Sequence, residues 1–564
     1  IVAKQSPSSV SLRLWHENLG EKIISLQNSP QNPQHYAGRI TTPTEGCLLW
    51  YYFIIKTEKG TIFYGNNVDH TGGIGQIYDQ SPASFQITVY QADATTPPWF
   101  RHGVMYQIFP DRFYRHGSTI IPKKDAVYHA DWHDTPYYYK DVDTKEIVSY
   151  DFFGGNIAGI KEKLPYLQDL GISVIYLNPV FESASNHHYD TGNYHKIDPI
   201  LGSNEDFIDL CHYAKKLGIR IILDGVFSHT GSDSLYFNRY NNYPSIGAYQ
   251  SKASPYYDWY TFRKYPCEYD SWWGFNTLPN VNETDPSYMN FIIDGENSVL
   301  RHWMKNGISG WRLDVIDELP QKFSRHFYKV LKSIQPDSVL IGEVWEDASN
   351  KVSYGVSREY LCGGEMDSAM NYPFRKTVLD FLLKRITGKM AIANLTSQKE
   401  NYPIYNYYAM MNLVSSHDVE RVITLLGEAA NYENMPATAQ AHYKLDPAHY
   451  KLGLLRSRLA ALWQMTFPGV PSIYYGDEIG MQGLRDPYNR GAYAWDTDNT
   501  DLREWFKKLI KLRNQHIALQ TGELLFLEEQ NDVIAYLRCI RNHQDAFGKI
   551  AENDAFVIII NRSS

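Results

Sequence analysis

The chain has 564 residues, 43% hydrophobic and 21% charged, with 63 Asp and Glu against 54 Lys and Arg for a net charge of −9. That length exceeds one simple domain and implies about two to four. The acidic balance excludes a nucleic-acid backbone as the main partner, because phosphate binding wants a basic face, and no apolar run approaches the roughly 18 residues that span a membrane.

Residues 1 to about 95 read as strands, with β-rich runs at 11–15 (SLRLW) and 47–55 (CLLWYYFII) between Asn, Pro, Gly and Ser clusters. They predict an N-terminal β-sandwich of carbohydrate-binding type. A Pro-containing linker follows at 93–99. From residue 100 to 518 the pattern alternates. Short apolar strands lie at 104–110, 173–178 and 219–224, with helical spacing at 157–170 and 205–217. The rhythm breaks over 230–285, a stretch rich in Tyr, Asn, Ser and Trp that reads as an inserted subdomain. It resumes with a helix over 286–306 and strands near 310, 339, 364–367, 411 and 471. Alternation calls for parallel pairing with right-handed crossovers. The fold class is therefore α/β, a TIM (β/α)8 barrel with a subdomain inserted after strand three. After 519, β-like runs at 533–537 and 555–560 predict a short or truncated C-terminal β-domain over 519–564.

Five scattered cysteines without a CxxC pair form neither a disulfide framework nor a zinc site, so a reducing, cytoplasmic compartment is expected. The chain begins at Ile1 and not Met, so its start says little about a leader. Most of its 44 tyrosines are expected to fill cores, with some left to stack on sugars.

Four segments look like strands running into polar tips: DGVFSH at 224–229, GWRLD at 310–314, IGEVW at 341–345 and VSSHD at 414–418. Barrel active sites lie at the C-terminal strand ends, so these tips converge on one bowl. Asp314 and Glu343 lie 29 residues apart, one strand-helix-strand unit, on neighbouring strands. Carboxyls on adjacent ends can sit roughly 5 Å apart, which suits a retaining glycosidase. Arg312, two residues before Asp314 on the same face, is expected to hold Asp314 ionised. Glu343 must instead keep a proton, with Asp418 as its anionic neighbour. Any one of these acids alone could be a structural ion pair at the rim; four in series argue against that.

These segments resemble the conserved regions of glycoside hydrolase family 13, the α-amylase family. The resemblance covers about 100–520. It implies that Asp314 is the nucleophile, Glu343 the general acid/base and Asp418 the third carboxylate, with Asp224 bracing the site. His229 and His417 would hydrogen-bond the sugar at the cleavage point, with Arg312 beside the nucleophile. An N-terminal β-domain and YQIFPDRF at 106–113 resemble the neopullulanase, cyclomaltodextrinase and maltogenic amylase subgroup. NHHYD at 186–190 resembles its segment after strand two, which makes His187 a sugar ligand and Tyr189 a stacking platform. Asp486 and Arg490 would bind the next sugar on the non-reducing side. Glu318 matches the subgroup, and Trp345 would line the acceptor side.

The pattern departs from the family where calcium often binds. Ser228 replaces an asparagine and Asn156 an aspartate. The loop at 114–122 carries two basic residues, which are poor company for Ca²⁺, although Asp141 and Asp143 remain. No metal or other cofactor is expected to be required. LPNVN at 278–282 is a blurred form of the subgroup's fifth region. The resemblance implies cleavage of α-1,4 bonds, with some α-1,6, in maltooligosaccharides, cyclodextrins or pullulan. A transglycosylase and a silent glucan-binding relative are the alternatives. It also implies a homodimer through the N-terminal domain.

Overall fold

The computed structural model describes residues 7–117, 121–140, 147–429, 432–496 and 500–563. Near the N-terminus, seven antiparallel strands form one sheet around the long strand Cys47–Thr57. Its first half pairs with Phe85–Val89, its second half with Gly60–Gly65, and Ser9–His16 lies along its other edge. Buried Val10, Leu12, Leu49 and Ile55 share one face of the sheet.

The barrel follows. Its strands are β1 Met105–Ile108, β2 Val174–Leu177, β3 Arg220–Gly225, β4 Gly310–Leu313, β5 Val339–Gly342, β6 Ser368–Ala369, β7 Met411–Leu413 and β8 Val470–Tyr474. They pair in parallel in the order β6-β5-β4-β3-β2-β1-β8-β7. A parallel bridge from Met370 to Met411 closes the ring, and Asn371 N donates to Met411 O at 2.8 Å. β1, β2, β4, β5 and β8 are buried at every position, as strands covered on both faces must be, which explains why they are apolar apart from Gln107, Arg312 and Ser472.

Three expectations change in detail. The sixth strand is Ser368–Ala369, not 364–367. Gly363 and Gly364 take positive φ (95° and 84°), which breaks extended backbone there, and Glu365 and Asp367 turn inward to Arg325 and Lys332. The helix expected over 286–306 is interrupted. Pro286–Met289 runs into a π turn, and the chain restarts at Val299–Lys305 behind the Ser298 cap, with Gly295 breaking the run. Between β5 and β6 the described residues hold a small hairpin, Val352–Ser353 with Val356–Ser357, where a barrel helix would stand.

The insertion over 230–285 packs on its own aromatic cluster. Phe237 lies 4.8 Å from Tyr260 and 4.7 Å from Tyr269, ring centre to ring centre. The stretch between β1 and the helix Ile157–Leu170 contains a three-stranded sheet that the sequence did not announce. Its strands are Ala126–Tyr128, Tyr138–Lys140 and Ile147–Phe152, the last in the middle. At the C-terminal end, Glu523–Glu529, Val533–Ile540 and Asp554–Asn561 form an antiparallel sheet. It is tied to the barrel by buried Arg538, whose guanidinium donates to Thr466 O and Gly522 O. No helix among the described residues is long and apolar enough to cross a membrane.

Candidate active site

Pairing register sets Asp224 on β3 beside Arg312 on β4, and Leu313 beside Gly342 on β5. The ladder runs on past the strand ends. Asp314 N donates to Gly225 O (3.0 Å) and Glu343 N to Leu313 O (3.1 Å). Both acids are thus fixed by backbone at the mouth of the barrel.

Arg312 is fully buried among them. Its Nη1 donates to Oδ1 of Asp224 (2.8 Å) and to Oδ1 of Asp314 (2.7 Å). Its Nη2 lies 2.9 Å from Oε2 of Glu343, a close ion pair without an aligned hydrogen bond. Val315 N donates to the same oxygen at 2.8 Å, and Trp345 Nε1 donates to Oε1 at 3.0 Å. Val315 reaches Glu343 only by adopting the left-handed region (φ 38°, ψ 53°), a strained choice for a β-branched residue.

The electrostatics correct one expectation. Arg312 does not by itself hold Asp314 ionised. Burial, with Glu343 and Asp224 alongside, pushes the Asp314 carboxyl well above the usual range despite the guanidinium. One cation is divided among three buried carboxylates, so full ionisation would leave uncompensated charge. Asp224 is likewise raised by burial. Asp418 is pushed up to about 7 by burial and then by Glu343, with Arg490 and Arg312 opposing. The acids therefore titrate as a cluster.

A raised folded pKa means that stability present at low pH is lost as pH rises through it. For Asp418 the window runs from the ordinary carboxylate value of 3.8 to about 7. Asp418→Asn is expected to raise the melting temperature at pH 8 and to leave it unchanged at pH 4. Equal melting shifts at the two pH values would contradict this account.

The β2 side supplies a loop between Phe181–Ser183 and Thr191–Ile197. It carries His187 and Tyr189. Tyr189 Oη donates to Oδ2 of Asp224 (2.9 Å) and lies 2.5 Å from His417 Nε2, with the two rings parallel at 2°. Gln107 Nε2 donates to His417 Nδ1 at 2.8 Å, which assigns the His417 proton to Nε2. Tyr176 Oη donates to Asp224 at 2.6 Å, and Asn178 Nδ2 donates to Tyr189 Oη at 3.1 Å. Burial keeps His187 and His417 well below the ordinary histidine value and lowers His229 to about 4, so all three are neutral near pH 7. His229 spends both ring nitrogens inside the protein. Nδ1 pairs with Ser228 Oγ (2.9 Å) and Nε2 with Tyr189 O (3.1 Å), so its ring props the Tyr189 loop.

Two rims flank the bowl, one after β8 and one after β4 and β5 across the ring. On the first, Arg490 pairs with Asp486 (2.8 Å), stands 3.5 Å from Asp418 and donates Nε to His417 O (2.9 Å). On the second, Oε1 of Glu318 accepts from Trp273 Nε1 (2.8 Å) and Tyr354 Oη (3.2 Å). Trp273 and Tyr354 are 75% and 76% exposed, and Trp345 lies flat on Tyr372 at 3.9 Å. Exposed rings of this size are the surface that sugars stack on.

The family model for the α-amylase catalytic domain matches residues 107–516. The chain belongs to the α-amylase family. It is 40% identical over 559 residues to an amylopullulanase of Thermoanaerobacterium saccharolyticum, covering 92% of this chain but only 42% of that protein. The chain thus spans less than half the length of that relative. It is 33% identical over 521 residues to a cyclomaltodextrinase of Geobacillus thermopakistaniensis (strain MAS1), covering 91% and 76% of the two chains. A solved cyclomaltodextrinase structure superposes with a TM-score of 0.68 at 26% identity, over 99% of this chain and 87% of that one.

In this member of the α-amylase family the residues near the usual calcium position do not fit the ion. Asn156 Oδ1 accepts from Gly159 N (2.7 Å) as the cap of the helix Ile157–Leu170, and its Nδ2 donates to His116 O (2.9 Å). Its side chain is spent on the fold, and Arg115 and His116 stand in the same loop. Ser228 is bound to His229. Asp141 and Asp143 lie outside the described residues. Among the described residues no cluster of three His, Cys, Asp or Glu side chains is arranged for a metal.

Sequence reasoning missed Gln107 and Asn178, although each is a polar residue at or beside an apolar strand end, the signal that singled out Asp314. It had no signal for Tyr138 or Tyr354, whose partners lie 348 and 36 residues away.

Proposed function

We propose that the chain is a retaining α-glucan hydrolase working by double displacement. The observation that carries this reading is the Arg312 guanidinium joining Asp224, Asp314 and Glu343 at the barrel mouth, with Asp418 at the same bowl. Asp314 attacks the anomeric carbon through the oxygen that Arg312 leaves free. Glu343 gives its proton to the leaving glycosidic oxygen and then takes one from water, which completes hydrolysis and restores both acids. Val315 N and Trp345 Nε1 hold the two carboxyl oxygens of Glu343 at the barrel mouth. Asp418 and the neutral His187 grip hydroxyls of the distorted sugar and Tyr189 stacks on it, steadied by His417, whose ring nitrogens meet Gln107 and Tyr189, while Asp224 and His229 hold the wall. Asp486 and Arg490 take the next donor sugar. Glu318 and Trp345 face the acceptor.

The substrates are α-1,4-linked maltooligosaccharides, cyclodextrins or pullulan, with some α-1,6 cleavage. The relatives' names support this class. Product analysis on β-cyclodextrin, pullulan and starch, with the first-formed anomer followed by NMR, tests it. An initial β-anomer, or no cleavage of any of the three, would refute it. The exposed rings on the acceptor rim favour transglycosylation as a second outcome, read as longer products at high maltose.

No cofactor enters the chemistry. EDTA is expected to leave both activity and melting temperature unchanged. Loss of either on chelation, restored by Ca²⁺, would overturn that. The five cysteines are all unpaired, which supports a reducing compartment. Exposed Leu19, Ile23, Val68 and Ile74 on the N-terminal domain support a homodimer through that sheet, to be read by sedimentation.

A further inference from the structure

The three-stranded sheet between β1 and its helix stands against the donor rim, and one of its tyrosines enters the site. Tyr138 Oη lies 2.8 Å from both carboxylate oxygens of Asp486 and 3.2 Å from Arg490 Nη1. Arg490 in turn reaches Asp418 and the His417 carbonyl. Tyr138 is therefore one link from the acid cluster. Behind it, its ring meets Tyr150 edge-on (6.4 Å, 88°), and Tyr150 meets His187 edge-on (5.5 Å, 81°).

The sheet is braced from below by buried Asp151. That carboxylate accepts from Arg112 (2.8 Å), Asn186 (2.7 Å) and Tyr137 N (2.9 Å), and lies 3.1 Å from His129 Nε2. Arg112 also pairs with Asp111 and donates to Arg490 O. A buried, multiply bonded carboxylate of this kind fixes backbone position. The strand that carries the tyrosine is thus tied to the barrel, through Tyr137 N and through its pairing with Tyr150 beside Asp151.

We propose that Tyr138 is a specificity-determining residue that closes the donor side and limits the donor part of a bound linear glucan to two glucose units, while its hydroxyl keeps Asp486 and Arg490 in register for the second. This rests on the α-glucan reading above. If the wild-type chain cleaves no α-glucan, that reading fails; the position of cleavage in an active enzyme tests the role of Tyr138 separately.

The test uses maltohexaose labelled at its reducing end with wild type, Tyr138→Ala and Tyr138→Phe, each checked by thermal melting. Wild type releases two-unit products from the non-reducing end. Tyr138→Ala opens the wall, and the share of three- and four-unit donor products rises about tenfold, the scale of one aromatic ring contact. Tyr138→Phe keeps the ring, so product length stays at two while KM rises with kcat little changed. A purely structural role would lower melting temperature and rate without moving the cleavage position. Wild-type product length in an active Tyr138→Ala enzyme overturns the proposal. Should that variant not fold, an unchanged KM for Tyr138→Phe does so.

Discussion

Asp314→Asn and Glu343→Gln are each expected to lower kcat by about 10⁴-fold or more while the protein stays folded. Both replacements keep side-chain volume at positions only 7% and 6% exposed, so packing is preserved. Each also removes an ionisable carboxyl from a cluster in which one guanidinium serves three. The melting temperature should therefore hold or rise. What is lost is chemistry. An amide at 314 cannot form the glycosyl ester, and an amide at 343 cannot deliver a proton. The two roles separate with an α-maltosyl fluoride, whose leaving group needs no acid. The Glu343 variant should still be glycosylated by it, and the Asp314 variant should not. Activity within tenfold of wild type for either variant would end the assignment.

Arg312→Met is expected to be the most damaging change to stability and to reduce kcat by about 10³-fold or more. It leaves Asp224, Asp314 and Glu343 buried without their shared cation, and stranding buried charge typically costs about 3–5 kcal/mol. The acids can escape part of that cost by taking up protons. Without Arg312 the folded pKa values of Asp224 and Asp314, already raised by burial, rise further, so the loss of stability grows as pH rises. The variant should melt far below wild type at pH 8 and closer to it at pH 5. Arg312→Lys keeps the charge but not the planar fork that reaches three carboxylates, so it should restore part of the stability and little of the rate. A methionine variant melting like wild type at pH 8 would show that the guanidinium is not what holds the cluster.

Much of the site was legible in the sequence because the signal is local. An apolar run of four or five residues ending in a polar one marks a buried parallel strand opening into the bowl. The regular strand-helix spacing then orders Asp224, Asp314, Glu343 and Asp418 around the ring. The sixth strand escaped because it is two residues long and starts later than the Gly363-Gly364 break suggests. The ionisation of Asp314 escaped for another reason. From sequence, Arg312 belongs to its neighbour two residues on. In space it is shared with residues 88 positions before it and 31 after it, Asp224 and Glu343.

The sequence by itself determined the barrel, the order of its strands and the identity of the acids at their ends, because hydrophobic periodicity and strand-end polarity are properties of consecutive residues. Only the tertiary structure decided how charge is apportioned in the cluster. It alone turned both ring nitrogens of His229 inward and set Trp273 and Tyr354 on Glu318. It alone placed Tyr138 against Asp486 and Arg490. Those depend on distances between segments tens to hundreds of residues apart, and electrostatic energy falls with distance in space, not along the chain.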